Sequence, residues 1–259
     1  ISHNMFVPFH YYTNHKDKKL IMSQFEGYEH LKELDWDHYK SKYKNIGRMD
    51  RILKAENDSP DHYKVSKQAD VCMLFYLLTP KEIHDLMTLL GYEITDSFIP
   101  DNVEYYLHRT CHGSTLSFLV HASILYGIDA NKSWDFFIQA LNSDYSDLQG
   151  GTTQEGIHLA IMAGTVDLVM HKFAGLDMTR DALSLNPCIP GQLKEIQFYL
   201  HWRNDIVQLK ITHEFIEIKY EDDYKMSSGH KERTSDDDLI VPIFLHGQLF
   251  AVNKSLKSK

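Results

Sequence analysis

The chain has 259 residues, 43% of them hydrophobic, enough for one sizeable core or a core with a small satellite domain. Its formal net charge of −9 and pI near 5.9 argue against a polyanionic partner such as nucleic acid. No apolar run is long enough to span a bilayer, the 16 histidines are scattered without zinc-ligand spacing, and three cysteines make no disulfide framework. A cytoplasmic, reducing location without membrane or metal is therefore expected. The first residues, Ile1-Ser2-His3-Asn4, hold no initiator Met and no signal peptide, and read as a cut inside a domain.

In chain order, residues 1 to about 66 are rich in aromatics and charges without a clear period, with one short helix expected near Ile46 to Ala55. The apolar run Lys67 to Leu78 predicts a helix with Ser66 as N-cap, and Cys72 within it reads as a small buried hydrophobe. Pro80 opens the next helix, which runs to Leu90 and is closed by Gly91. Thr115 to Tyr126 is a third, with Leu116, Leu119, Val120 and Ile124 at helical spacing and Gly127 as the stop. Asn131 to Leu141 and Glu155 to Phe173 complete five helices.

After Asn186-Pro187 the period changes to two. Ile196 to Leu200 predicts a strand, and Val207, Leu209, Ile211 and then Ile216, Ile218, Tyr220 alternate with polar residues. Glu221 to Asp238 is a charged loop, and Leu239 to Leu245 with Leu249 to Val252 predicts a hairpin around His246-Gly247. Pro242 lacks an N–H and assigns its strand to an edge or bulge. The expected architecture is mainly α, followed by a small antiparallel β-unit, with the boundary near residues 180–190.

Three polar clusters stand just before or at the start of apolar helices: Tyr63 to Asp70, Arg109 to Ser117 and Gln149 to His158. Helix starts present unpaired N–H groups and the positive end of the dipole, so they favour anions. Gly113 and Gly150-Gly151 let backbone approach a ligand; Ser114, Thr152 and Thr153 offer hydroxyls; Lys67 and His158 offer cationic or donor groups. For each stretch taken alone, ordinary capping is the leading explanation of Ser, Thr and Gly at these places, and Glu155 fits a capping box with Thr152. Taken alone, the residues support an anion site or three capped helices, and no particular reaction.

The strings Gln24-Phe-Glu-Gly-Tyr28, Lys67-Gln-Ala-Asp-Val71, His112-Gly-Ser-Thr-Leu-Ser117 and Gly151-Thr-Thr-Gln-Glu-Gly-Ile-His158 resemble glycoside hydrolase family 65 in order and spacing. Met162-Ala-Gly-Thr165 and Leu185-Asn-Pro187 fit as well, and the resemblance fades beyond about residue 220. It implies that residues 1–185 form the C-terminal half of an (α/α)6 catalytic barrel and 186–259 a C-terminal β-domain. It also implies an inverting phosphorylase that cleaves an α-linked glucose disaccharide to β-glucose 1-phosphate, with inorganic phosphate as co-substrate, no cofactor, and a homodimer for the complete protein. By position, Lys67 and Gln68 take the substrate-binding role, and Gly113, Ser114 and His158 the phosphate-binding role. The family's general acid lies upstream of the Gln24 string; no segment here matches it, so no catalytic residue is assigned. A hydrolase of the same family and a non-catalytic carbohydrate-binding remnant are the alternatives. Cys111 stands where serine is common and His171 where arginine is frequent; the tail beyond Tyr220 receives no function.

Overall fold

A computed structural model describes residues 11–14, 19–148, 153–178, 182–202, 205–222, 240–245 and 248–253. The chain divides into two compact units, Ile1–Thr165 and Val166–Lys259. The first is mostly helical; the second opens with the last turn of a helix and continues in small sheets, the helix-then-sheet order that the change of period predicts. Among the described residues no helix is long and apolar enough to cross a membrane.

The N-terminal stretch is more ordered than its lack of period indicates. Strands β1 (Tyr11–Asn14) and β2 (Lys19–Met22) form an antiparallel hairpin. Helix α1 (Trp36–Lys42) begins at Asp35, whose carboxylate accepts from the His38 N–H at 3.0 Å, and α2 spans Met49–Ala55. Tyr39, Met49 and Leu53 meet Leu34 and Cys111 in a small core, while the Tyr39 and Tyr43 hydroxyls both donate to Glu56. A packed aromatic cluster tied to one carboxylate needs no helical repeat, which is why periodicity missed it.

Helix α3 spans Asp70–Leu77, three residues later than the apolar run suggests. Its N-cap position is Ala69, not Ser66. Gln24 supplies the cap instead: its Oε1 accepts from the Asp70 N–H at 2.8 Å while its Nε2 donates to the Ser66 hydroxyl at 2.6 Å. Helix α4 (Pro80–Leu89) carries the expected Pro at its first turn and a full capping box between Thr79 and Glu82; Gly91 follows at φ 84°.

Helix α5 (Phe98–Leu107) was not foreseen, because Pro100 and a polar residue on its buried face break the apolar pattern. That polar residue is Asn102, fully buried. Its Oδ1 accepts from the Met22 N–H at 2.8 Å, and its Nδ2 donates to the carbonyls of Leu20 and Phe98 at 3.0 and 2.8 Å. One amide thus fastens the hairpin to the helix and satisfies backbone groups that would otherwise be buried alone. Asn102→Ala is expected to destabilise the unit by about 2 kcal/mol in urea denaturation; an unchanged midpoint would show that the hairpin holds without it.

Helix α6 (Thr115–Leu125) is enclosed nearly all round, with Ser117, His121 and Ser123 as buried as its apolar residues. Helix α7 (Ala130–Leu141) starts at Asp129, which accepts from the Lys132 N–H at 3.0 Å. The expected fifth helix is shorter at its front. A 3-10 turn covers Thr153–Glu155, Gly156 sits at φ 140°, and α8 begins only at Leu159, running to Leu168. A π-helical turn, Val169–Phe173, continues from it. Gly164 of α8 packs so closely on α6 that a Cβ there would lie 2.1 Å from Leu119 Cδ2.

In the second unit β5 (Glu195–Trp202), β6 (Asp205–Thr212) and β7 (Ile216–Asp222) form an antiparallel meander. Val207, Leu209 and Ile211 of the central β6 are fully buried, as their alternation predicts. The short strands Leu176–Asp177 (β3) and Leu183–Leu185 (β4) join Ile240–Leu245 (β8) and Gln248–Asn253 (β9) in a second sheet of order β3-β4-β8-β9. One pairing in it, β4 with β8, is parallel. Pro242 therefore sits in an interior strand, not at a sheet edge. The ladder to β4 begins at Ile243, so at Pro242 only the β9 side is paired, which a residue without an N–H tolerates. Of the charged loop expected over Glu221–Asp238, Glu221 and Asp222 end β7, and residues 223–238 lie outside the described residues.

Candidate functional site

Two of the three polar clusters are stitched together by backbone. The Ser66 N–H donates to the Arg109 carbonyl at 2.9 Å, and the Cys111 N–H to the Ser66 carbonyl at 2.8 Å, forming an isolated parallel bridge between Ser66 and Thr110. On its other side the Lys64 N–H donates to the Lys32 carbonyl at 2.8 Å. Lys67 and Gln68 emerge from this stitched segment, in a loop before α3 and not inside its first turn. Lys67 is exposed and Gln68 partly exposed.

Gly113 lies against Lys67. A Cβ at 113 would stand 2.9 Å from Lys67 Cγ and 2.1 Å from the Gly47 carbonyl oxygen, so only glycine fits between them. Before it, His112 takes a left-handed backbone at φ 51°. Ser114 occupies the N-cap position of α6, yet its side chain makes no cap hydrogen bond. The capping account that competes with ligand binding therefore does not hold for this hydroxyl.

His158 is not one turn into its helix. It is the residue before α8, and its carbonyl accepts from the N–H groups of Ile161 and Met162 at 3.0 and 3.2 Å. Asp144, from the loop after α7, holds it at two points: Oδ2 accepts the His158 backbone N–H at 2.8 Å, and Oδ1 lies 2.5 Å from Nδ1. The imidazole bond keeps the Asp144 carboxyl below the usual carboxylate range. With Nδ1–H given to Asp144, the imidazolium form leaves its Nε2–H as the one donor to spare. Asp144 was missed at the level of sequence, since it belongs to no string and lies 14 residues upstream of its partner. The structure thus joins Lys67 to Gly113, and His158 to Asp144. No described contact joins the two groups. The crossing of Gly164 on Leu119 lies about 6–8 Å along each axis from the starts of α8 and α6, at 1.5 Å per residue. Gly150, Gly151 and Thr152 lie outside the described residues, and Thr153 donates its hydroxyl to the Asp144 carbonyl at 3.2 Å.

Fully buried His121 faces the partly exposed His112, ring centroids 4.7 Å apart, with Phe118 and Phe136 flanking them. His112 Nδ1 is 2.9 Å from the Ser117 hydroxyl, and His121 Nδ1 is 2.8 Å from the Ser117 carbonyl. Burial drives the two histidines down to about 3 and about 4, and they stay neutral at ordinary pH. Burial likewise raises the Cys111 thiol, which donates to the Gly47 carbonyl.

The model of the glycosyl hydrolase family 65 central catalytic domain matches residues 2–167, and that of the family's C-terminal domain matches residues 176–229. The chain belongs to glycosyl hydrolase family 65. A Mycobacterium tuberculosis protein described as an uncharacterized glycosyl hydrolase is 48% identical over 82% of this chain and 15% of its own length. The trehalose 6-phosphate phosphorylase of Lactococcus lactis is 36% identical over 82% of this chain and 29% of its own, and the kojibiose phosphorylase of Thermoanaerobacter brockii 30% over 79% and 24%. A solved structure described as a putative kojibiose phosphorylase from human microbiome shares the fold, with TM-score 0.61 and 22% identity over 90% of this chain and 28% of that one. The chain spans less than a third of the length of each of these relatives.

Proposed function

We propose that this chain supplies part of the catalytic domain of an inverting phosphorylase that converts an α-linked glucose disaccharide and inorganic phosphate to β-glucose 1-phosphate and a free sugar. The observation that carries the proposal is the Asp144 clamp on His158, which fixes the imidazole at two points; separately, the Ser114 hydroxyl is not used as a cap. Lys67 and Gln68 hold hydroxyls of the glucosyl unit, while Ser114, His158 and backbone near Gly113 hold the phosphate. A carboxylic acid from a segment outside this chain protonates the glycosidic oxygen. Phosphate attacks the anomeric carbon from the opposite face, so configuration inverts. His158 donates its Nδ1–H to Asp144 and, when protonated, its Nε2–H to a phosphate oxygen, a charge-assisted bond whose direction the Asp144 contact sets. A family hydrolase would instead need a carboxylate base to activate water, and Glu155, the acidic residue near the anion site, does not decide between the two.

The test is a phosphate titration of the complete enzyme and its His158→Ala variant, with free glucose and glucose 1-phosphate followed separately. The variant is expected to raise KM for phosphate at least about tenfold, the equivalent of a hydrogen bond to a charged group. KM for the disaccharide should change little. Phosphate-independent glucose release by the unmutated enzyme would overturn the phosphorylase in favour of the hydrolase. Unchanged phosphate affinity in the variant would remove His158 from the site.

A further inference from the structure

The Gln24–Tyr28 string has no part in the proposed reaction, yet its first residue ties down the loop that carries Lys67 and Gln68. Those two stand at a bend between two fixed points, Ser66 and Asp70. Ser66 is fixed by backbone: its N–H donates to the Arg109 carbonyl, and its own carbonyl accepts from the Cys111 N–H. Asp70 opens α3, so its N–H has no acceptor within the helix. The Gln24 amide joins the two points. Its Nε2 donates to the Ser66 hydroxyl at 2.6 Å, and its Oε1 accepts from the Asp70 N–H at 2.8 Å. Gln24 is itself placed by α5. Met22, the last residue of β2, gives its N–H to Asn102 at 2.8 Å and receives the Tyr106 hydroxyl on its carbonyl. Both of these α5 side chains are fully buried. Through β2, one amide therefore fastens both ends of residues 66–70 to the core.

We propose that Gln24 is a positioning residue for the glucosyl-binding pair, acting through Lys67 and Gln68; the inference rests on the reading that those two hold the sugar. A cap on α3 needs only an acceptor, one oxygen on the Asp70 N–H. The second bond, to Ser66, adds nothing to the helix; it draws the two ends of the loop together. A glutamine serves both ends because its planar amide carries a donor and an acceptor. Lys67 is long and exposed. On a loose loop it would lose freedom each time a sugar bound, whereas a tied loop is ordered in advance and keeps that part of the affinity. Ser114 and His158 are not bonded to this tie, so it bears on the sugar and not on the phosphate.

Calorimetric titration of the complete enzyme with β-glucose 1-phosphate and with inorganic phosphate tests it, in the unmutated form, Gln24→Ala, Lys67→Ala and the double variant. Gln24→Ala is expected to weaken β-glucose 1-phosphate about tenfold while inorganic phosphate changes by less than about twofold. In the double variant the two losses should fall well short of multiplying, because Gln24 acts through a lysine that is no longer there. Circular dichroism checks folding. Ser66→Ala, which removes one of the two bonds, is the milder variant, expected to weaken the ester about threefold, and it takes the place of Gln24→Ala in the cycle should that variant not fold. An ester affinity indifferent to these substitutions, an equal fall in affinity for inorganic phosphate, or losses that multiply fully overturn the proposal. Lys67→Ala weakening the ester while Gln24→Ala does not refutes the proposal alone. Lys67→Ala without effect refutes the sugar-binding reading of that lysine, and the proposal with it.

Discussion

Gly113→Ala is expected to destabilise the helical unit by about 3 kcal/mol and to abolish whatever activity depends on the loop. The added Cβ would stand 2.1 Å from the Gly47 carbonyl oxygen and 2.9 Å from Lys67 Cγ. The lysine stem can swing away, but the carbonyl is backbone, in a segment that also receives the Cys111 thiol. Relief therefore requires the 109–114 segment to part from residue 47. Moving it disturbs the Ser66–Thr110 bridge that positions Lys67. Gly127→Ala is the control, because a Cβ there meets nothing within 4 Å. Urea denaturation of both variants measures the difference. A Gly113→Ala midpoint equal to that of the control would refute the close approach.

The second large effect is loss of stability in mild acid. His112 and His121 are held neutral in the fold, at about 3 and about 4, whereas an unfolded histidine titrates near 6.5. The sign follows from proton counting. Below about pH 6.5 the unfolded chain binds protons that the fold refuses, so stability is full at neutral pH and falls as pH drops. Each histidine contributes a slope approaching 1.4 kcal/mol per pH unit, giving a loss of roughly 2–4 kcal/mol between pH 7 and pH 5. Geometry gives the same direction. His121 donates Nδ1–H to the Ser117 carbonyl, which leaves the proton-accepting Nε2 buried without a partner. Phe118 and Phe136 flank the pair, and no carboxylate is bonded to either ring among the described residues. His121→Phe is expected to reduce the pH slope by about half in denaturation series at pH 7, 6 and 5. A slope unchanged by the substitution would place the acid sensitivity elsewhere.

Sequence legibility followed local rules. Pro80 and Gly91 mark the two ends of a helix, and the structure has α4 between them; Val207, Leu209 and Ile211 alternate and are buried. Both signals lie within a few residues of what they determine. What was misread depends on distant partners. Gln24 caps α3 from 46 residues away, so Ser66 looked like the cap. Asn102 breaks the apolar face of α5 because its amide serves a hairpin 80 residues upstream. Asp144 has no meaning until the chain brings it to His158. Pro242 looked like an edge marker because a sequence does not reveal where a ladder to β4 begins. The family strings pointed to Lys67, Gln68, Gly113, Ser114 and His158, but not to Asp144, which belongs to none of those strings and holds His158.

The parallel pairing of β4 with β8 also sets an order of events. It joins Leu183 to Ile243, and the three-stranded meander lies in the intervening chain. Closing so wide a loop loses chain entropy before any contact compensates, whereas the β5–β6–β7 hairpins and the β8–β9 hairpin close over a few residues. The meander therefore condenses early and by itself. The β8–β9 ribbon arrives late, and until it does β4 presents an open edge on which another strand can pair. On a ribosome, that interval lasts at least until Asn253, the end of β9, has left the exit tunnel.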